Sequence, residues 1–254
     1  MTERRVEHVM GMPVVVDVRD GEAGRDAIDA VFAWLRFVDA TFSTYRPDSD
    51  VCRLDRGELA PADAHPLVRE VLARCERLRA ETGGYFDASA SGRLDPSGLV
   101  KGWAVDRAAA LLTEAGARRF CVNAGGDVVV RGGPWRVGVQ HPRRRDRVAA
   151  VLSLTDAAVA TSGAYERGEH ILDPLTGRPP AGTVAVTVLG RDLATADAYA
   201  TAAFAMGERG PAWTARLRGC GAMTILAGDR VLCTERFLRH RVPLSAGASD
   251  CAPA

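Results

Sequence analysis

The chain has 254 residues, 47% of them hydrophobic, and a formal charge of +1 at pH 7. A chain of that length can bury roughly three quarters of its unfolded surface, enough for one large domain or two closely packed lobes. The near-neutral charge gives no reason to expect nucleic acid or an anionic membrane as partner, and no apolar run reaches the ~18 residues that cross a bilayer.

Met1 to Val9 carries neither a hydrophobic signal core nor a lipid-acceptor cysteine, which sets a cytoplasmic expectation for the sequence as it stands. Met12 to Val18 alternates as a strand does, after a loop at Met10-Gly11. From Gly24 to Phe42 the apolar residues Ile28, Val31, Leu35, Val38 and Phe42 fall on one helical stripe. The stripe stops in Ser43 to Asp50, a run of turn formers. Pro66 to Thr82 predicts a second helix, ended by Gly83-Gly84, and Ala104 to Glu114 a third, ended by Gly116.

Phe120 to Asn123 and Val128 to Val130 predict a hairpin across Ala124-Gly125-Gly126-Asp127. Strands are expected at Trp135 to Gln140, Ala149 to Leu154 and Val184 to Leu189, and helices at Thr195 to Met206 and Pro211 to Arg218. Gly221 to Cys233 repeats the order of Gly116 to Val130: Gly-Ala, strand, Gly-Asp turn, strand. The reading is an α+β fold with largely antiparallel sheets and packed helices, in two intimately associated lobes with a weak internal duplication. Residues 1–243 form a single domain in this reading, and 244–254 a frayed tail.

None of the six cysteines sits at C-x-x-C or metal-ligand spacing. Cys75, Cys121 and Cys233 lie in apolar periodic segments, where a free thiol behaves as a small hydrophobe. Lys101 is the only lysine in the chain. It lies in Leu94-Asp-Pro-Ser-Gly-Leu-Val-Lys-Gly-Trp-Ala-Val-Asp-Arg107, read as a glycine-flanked turn leading into a helix. Glycine lets backbone approach a ligand closely, and a helix start supplies N–H groups, so the segment suits a phosphate or a metal as well as a plain capped helix. Asp197 and Thr201 are four apart on one helical face among alanines. A carboxylate with a hydroxyl suits Mg²⁺, although Asp197 alone could simply favour a helix N-terminus. Thr161 to Arg178 compresses Ser162, Tyr165, Glu166, Arg167, His170 and Asp173 into one loop; Asp173 also fits as the first residue of a tight turn. Tyr45, Tyr85 and Phe86 offer flat rings, with Asp87 beside the last two. Asn123 and Gly125-Gly126-Asp127 are most simply a hairpin turn.

In chain order these pieces resemble the ApbE family, the FAD:protein FMN transferases. The matching series is Met10-Gly-Met-Pro13, Phe42 to Asp50, Gly83-Gly-Tyr-Phe-Asp87, Leu94 to Arg107, Val122-Asn-Ala-Gly-Gly-Asp127, Trp135 to Pro142, Ala160-Thr-Ser-Gly163, His170 to Arg178 and Thr195 to Thr201. The resemblance implies Mg²⁺-dependent splitting of FAD, attachment of FMN through a phosphoester to a Thr or Ser of an acceptor protein, and release of AMP. By motif position it implies that Met10, Tyr45, Tyr85, Phe86, Asp87, Asp95, Lys101 and Leu172 line the FAD site. It gives the metal to Gly98 (through its carbonyl), Asp197 and Thr201. His170 is the expected base for the acceptor hydroxyl, with Asp197 essential to turnover. The same architecture also suits an FAD pyrophosphatase giving FMN and AMP, or a non-catalytic FAD-binding protein. Three departures from the family's pattern stand out: a short excursion at Ala164 to Glu169, Pro96-Ser97 before Gly98, and no exported-lipoprotein leader in the sequence as given.

Overall fold

The computed structural model describes residues 2–20, 24–163, 171–243 and 252–253. Its centre is a nine-stranded sheet in the spatial order β1 (Glu3–Val9), β2 (Met12–Val18), β3 (Phe120–Ala124), β4 (Asp127–Arg131), β7 (Ala157–Gly163), β8 (Thr183–Gly190), β9 (Gly221–Leu226), β10 (Val231–Cys233) and β12 (Ala252–Pro253). Every pairing is antiparallel except β10 with β12. A second, three-stranded sheet has the order β11 (Arg241–Val242), β6 (Arg144–Leu154), β5 (Trp135–His141).

The central strands are covered on both faces, and their side chains divide between two cores with period two. On one face Val16, Val122, Val129, Ala160, Val188 and Ala222 meet the helices α1 (Arg25–Phe42), α3 (Pro66–Glu81), α4 (Ser97–Glu114) and α5 (Leu193–Ala205). On the other, Val128, Val130, Val159, Leu189, Met223 and Ile225 meet Trp135, Leu152 and Leu154 of the small sheet and Phe237 of α7 (Glu235–His240). The short helices α2 (Asp50–Asp55) and α6 (Gly210–Thr214) complete the set. Among the described residues no helix is long and apolar enough to cross a membrane.

Both repeated segments form hairpins, β3–β4 and β9–β10, in the same large sheet. The α1 stripe is buried as its spacing predicts. One boundary differs in a way that bears on function: α4 starts at Ser97, not Ala104. Gly98 and Gly102 lower local helix propensity by about 1 kcal/mol each. Tertiary burial of Leu99 and Val100 overrides that, and the Pro96 carbonyl accepts the first N–H groups, from Leu99 and Val100. Lys101 therefore stands on a helix and not in a loop. The Pro211 to Arg218 helix is shorter than expected; after Thr214 the chain continues in turns, and the Thr214 hydroxyl bonds back to the Pro211 carbonyl. Cys233 is disulfide-bonded where apolar periodicity suggested a free thiol.

Candidate functional site

Helices α4 and α5 meet at their N-terminal ends because Gly102 lets the two backbones touch. A Cβ on Gly102 would lie 2.5 Å from the Leu193 carbonyl oxygen and 2.8 Å from Ala194 Cα. One turn along α4, Asp106 completes the junction. Its carboxylate accepts the Leu193 and Ala194 N–H groups, both at 2.8 Å, so a residue of one helix satisfies the free donors that open the other. Burial pushes the Asp106 carboxyl above its ordinary range, against those two donors.

This junction sets the remaining polar groups. Asp197, 2% exposed, accepts the Gly102 N–H through Oδ2 at 3.2 Å. In a regular helix that N–H serves the Gly98 carbonyl, so Asp197 competes with Gly98 for it. One turn on, the Thr201 hydroxyl lies 3.3 Å from the Ser162 hydroxyl of β7. Gly98 faces the same spot: a Cβ there would be 3.5 Å from Thr201 Oγ1 and 3.3 Å from the Phe86 ring. Lys101 Nζ stands 2.6 Å from Asp127 Oδ2 and 3.7 Å from Asp197 Oδ1. The first contact is close but poorly aligned for a hydrogen bond, so it is an ion contact in the main. Asp127 Oδ1 accepts the Thr161 N–H at 2.9 Å. Burial raises the Asp197 carboxyl to about 7; Lys101 opposes the shift and Asp127 adds to it.

Around this cluster the other expected site residues are distributed unevenly. Phe86 is buried beside Gly98, its N–H held by the Thr82 hydroxyl at 2.9 Å. Asp87 accepts from Ser89 N–H at 2.8 Å and pairs with Arg79 at 3.3 Å. Asp95 accepts from Ser97 N–H at 2.9 Å, and its own N–H reaches the Ala88 carbonyl at 2.7 Å, tying the aromatic turn to the start of α4. Tyr85 has a buried hydroxyl with no hydrogen-bond partner among the described residues, and the Arg209 guanidinium 5.1 Å above its ring. Leu172 is half-buried. Asp173 does head a tight turn, its backbone carbonyl accepting from Thr176 and Gly177 and its side chain from Leu175.

Met10 occupies the two-residue turn between β1 and β2 at φ 55°, followed by Gly11 at 72°. Two successive left-handed residues are what a type I′ hairpin needs, and methionine at the first is an uncommon choice. Tyr45 is 86% exposed, and among the described residues no ring contact ties it to the cluster. His170 and the 164–169 excursion lie outside the described residues, as does most of the 244–254 tail.

Asp127, Gly102 and Asp106 belong to this arrangement without having been marked as site residues by the sequence, and Ser162, expected in the loop from Thr161, stands instead on strand β7. The available signal was an acidic residue leading directly into the buried run Val128-Val129-Val130. The described residues contain no group of three or more His, Cys, Asp or Glu side chains suited to a metal. Beside Gly98 the oxygen donors are the Asp197 carboxylate, the Thr201 and Ser162 hydroxyls and helix-start backbone.

The ApbE family model matches residues 10–92 and 88–224, most of the chain. The chain belongs to the ApbE family. It is 34% identical over 168 residues to a FAD:protein FMN transferase of Vibrio cholerae, covering 60% of this chain and 50% of that protein. With the FAD:protein FMN transferase of Rhodobacter capsulatus it shares 37% over 167 residues, 61% of this chain and 32% of that one. The chain thus spans half or less of these curated relatives' length. The crystal structure of the ApbE protein from Thermotoga maritima superposes with a TM-score of 0.84 over 96% of this chain and 100% of that one, at 23% identity. ApbE architecture accounts for the mixed fold and the shared large sheet.

Proposed function

We propose that this ApbE-family protein transfers the FMN portion of FAD to a Ser or Thr hydroxyl of an acceptor protein, releasing AMP, with Mg²⁺ as cofactor. The observation that carries the reading is the meeting of Gly98, Asp197 and Thr201 beside Lys101 at the α4–α5 junction. The donor set fits a hard cation. Mg²⁺ takes few protein oxygens and keeps its remaining places for water and phosphate. Gly98 leaves space where a side chain would press on the Phe86 ring, and Asp197 draws on the Gly102 N–H that the Gly98 carbonyl would otherwise take, which favours that carbonyl as a ligand. Bound there, the cation would neutralise charge on the diphosphate as a Lewis acid.

The protein's own residues supply the rest. Lys101 adds positive charge next to the diphosphate. Tyr85, Phe86 and Tyr45 offer surfaces for the flat ring, Met10 and Leu172 apolar cover, and Asp87 and Asp95 polar contacts. The acceptor oxygen forms a bond to the FMN phosphorus while the bridging P–O bond breaks, and AMP departs with the bridging oxygen. His170 takes the hydroxyl proton, a contribution typically worth ~10²- to 10⁴-fold.

The test is incubation of the pure protein with FAD and Mg²⁺, with and without candidate acceptor proteins. AMP that appears only with an acceptor, which becomes fluorescent in a gel, supports transfer. AMP together with free FMN replaces this reading with a pyrophosphatase, and bound FAD without AMP replaces it with a carrier. Asp197→Ala should release no AMP; wild-type release from that variant removes the metal assignment. His170→Ala should slow turnover with little change in FAD affinity, and an unchanged rate removes its role as base.

A further inference from the structure

We propose that Asp127 is a positioning residue for Lys101: it holds the ammonium away from Asp197 and so keeps that carboxylate open to a divalent cation. The inference rests on the reading of Asp197 as a metal ligand.

Two buried carboxylates share one ammonium here. Asp127 and Asp197 are each 2% exposed, and Lys101 Nζ lies 2.6 Å from the first and 3.7 Å from the second. Coulomb energy falls as the inverse of distance, so at equal screening the ammonium's interaction energy with Asp127 is about 1.4 times that with Asp197. Asp127 cannot follow the lysine, because Oδ1 is fixed by the Thr161 N–H and its backbone is the first residue of β4, in register with Ala124 of β3. Asp197 is held separately, through Oδ2 and the Gly102 N–H. The ammonium is therefore pulled toward the sheet while Asp197 Oδ1 is left at more than hydrogen-bond distance. A compact point charge can stand between two anions in this way, whereas a planar guanidinium would seek a two-pronged contact with one of them. That gives a physical reason for the single lysine among 33 Lys and Arg residues to be at this position.

Neutralising Asp127 leaves Asp197 as the other carboxylate of the pair, and the ammonium should settle there in competition with the metal. The experiment titrates Mn²⁺ into the 254-residue chain without FAD and reads free Mn²⁺ by electron paramagnetic resonance, for wild type, Asp127→Asn, Lys101→Met and the double variant. Asp127→Asn should weaken Mn²⁺ binding by ~10-fold, within the range of couplings between contacting residues. In the Lys101→Met background, where there is no ammonium to misplace, the same change should cost less than ~2-fold. Asp127→Glu, which keeps the charge, should retain most of the affinity, and thermal melts of all variants check that the fold persists. Equal losses in both backgrounds, or none in either, overturn the proposal and leave Asp127 a structural residue. Should wild type take up Mn²⁺ only when FAD is present, the same cycle is read with FAD added. No uptake under either condition removes the metal reading itself, and this inference with it.

Discussion

Replacing Gly102 by alanine tests the α4–α5 junction directly. The new Cβ would meet the Leu193 carbonyl oxygen at 2.5 Å, the Leu193 carbonyl carbon at 2.7 Å and Ala194 Cα at 2.8 Å, all backbone atoms that no rotamer change can move. Relief to an ordinary 3.4 Å contact needs the helices to part by most of an ångström. Overpacking of this kind costs about 1–3 kcal/mol, and backbone contacts put it at the upper end. Alanine returns ~1 kcal/mol through helix propensity, leaving a net loss of roughly 2 kcal/mol. For a chain of this size that is a fall in Tm of about 4–8 °C. The same parting stretches the Gly102 N–H to Asp197 bond and shifts Asp197 relative to Gly98, and misplacement on that scale can cost ~10²-fold in rate. Urea and thermal unfolding give the first quantity, and AMP release from FAD the second. A variant as stable as wild type, or more stable, would mean that the backbones do not touch as described and that the junction does not set the site.

Gly98→Ala provides a contrast: its nearest neighbours would be the Phe86 ring at 3.3 Å and Thr201 at 3.5 Å, so stability should change by less than ~1 kcal/mol while FAD and metal binding fall; calorimetric titration beside a melt separates the two. Asp106→Ala removes the carboxylate that caps α5 and should cost about 0.5–2 kcal/mol in urea unfolding, with Asp106→Asn losing less. Because burial raises the Asp106 carboxyl, its favourable contribution is complete below the ordinary aspartate pKa of 3.8 and is lost as pH climbs through the raised value. Wild type should therefore lose stability relative to Asp106→Asn across that window, and a constant difference from pH 4 upward would contradict the assignment. Tyr85→Phe deletes a buried hydroxyl with no hydrogen-bond partner among the described residues, so Tm should hold or rise slightly while FAD affinity falls; an unchanged affinity would take the hydroxyl out of the flavin site.

Period and punctuation made much of the fold readable in advance. The α1 stripe and the Gly125-Gly126 hairpin are local patterns, and both appear where the sequence puts them. Glu3–Val9 does not show as a strand in the sequence because charged residues fill it, nor does Ala157–Gly163, where small residues give alternation little contrast. Helix α5 is buried on nearly every side, so its composition could not say which face meets which neighbour. In the candidate site, Asp197 and Thr201 were conspicuous as polar residues one turn apart among alanines, and Lys101 as the sole lysine. The function of Gly102, Asp106 and Asp127 is relational. Each acts on residues well away in the chain, from Lys101 for Asp127 to Asp197 for Gly102, and nothing in a single sequence records which distant backbone a glycine will touch.

The order of strands in the large sheet carries one more consequence. β2 pairs with β3 although about a hundred residues separate them, and the helices α1 to α4 lie within that loop of chain. The amino-terminal hairpin is thus a flank guard for the centre of the molecule: without it Phe120–Ala124 would become an open margin with unpaired amide and carbonyl groups, and Phe120 and Val122 would lose Val14, Val16 and Val18 as neighbours. Trimming those first eighteen residues, which also removes Met10 of the candidate flavin site, should yield a protein that self-associates through the bared strand.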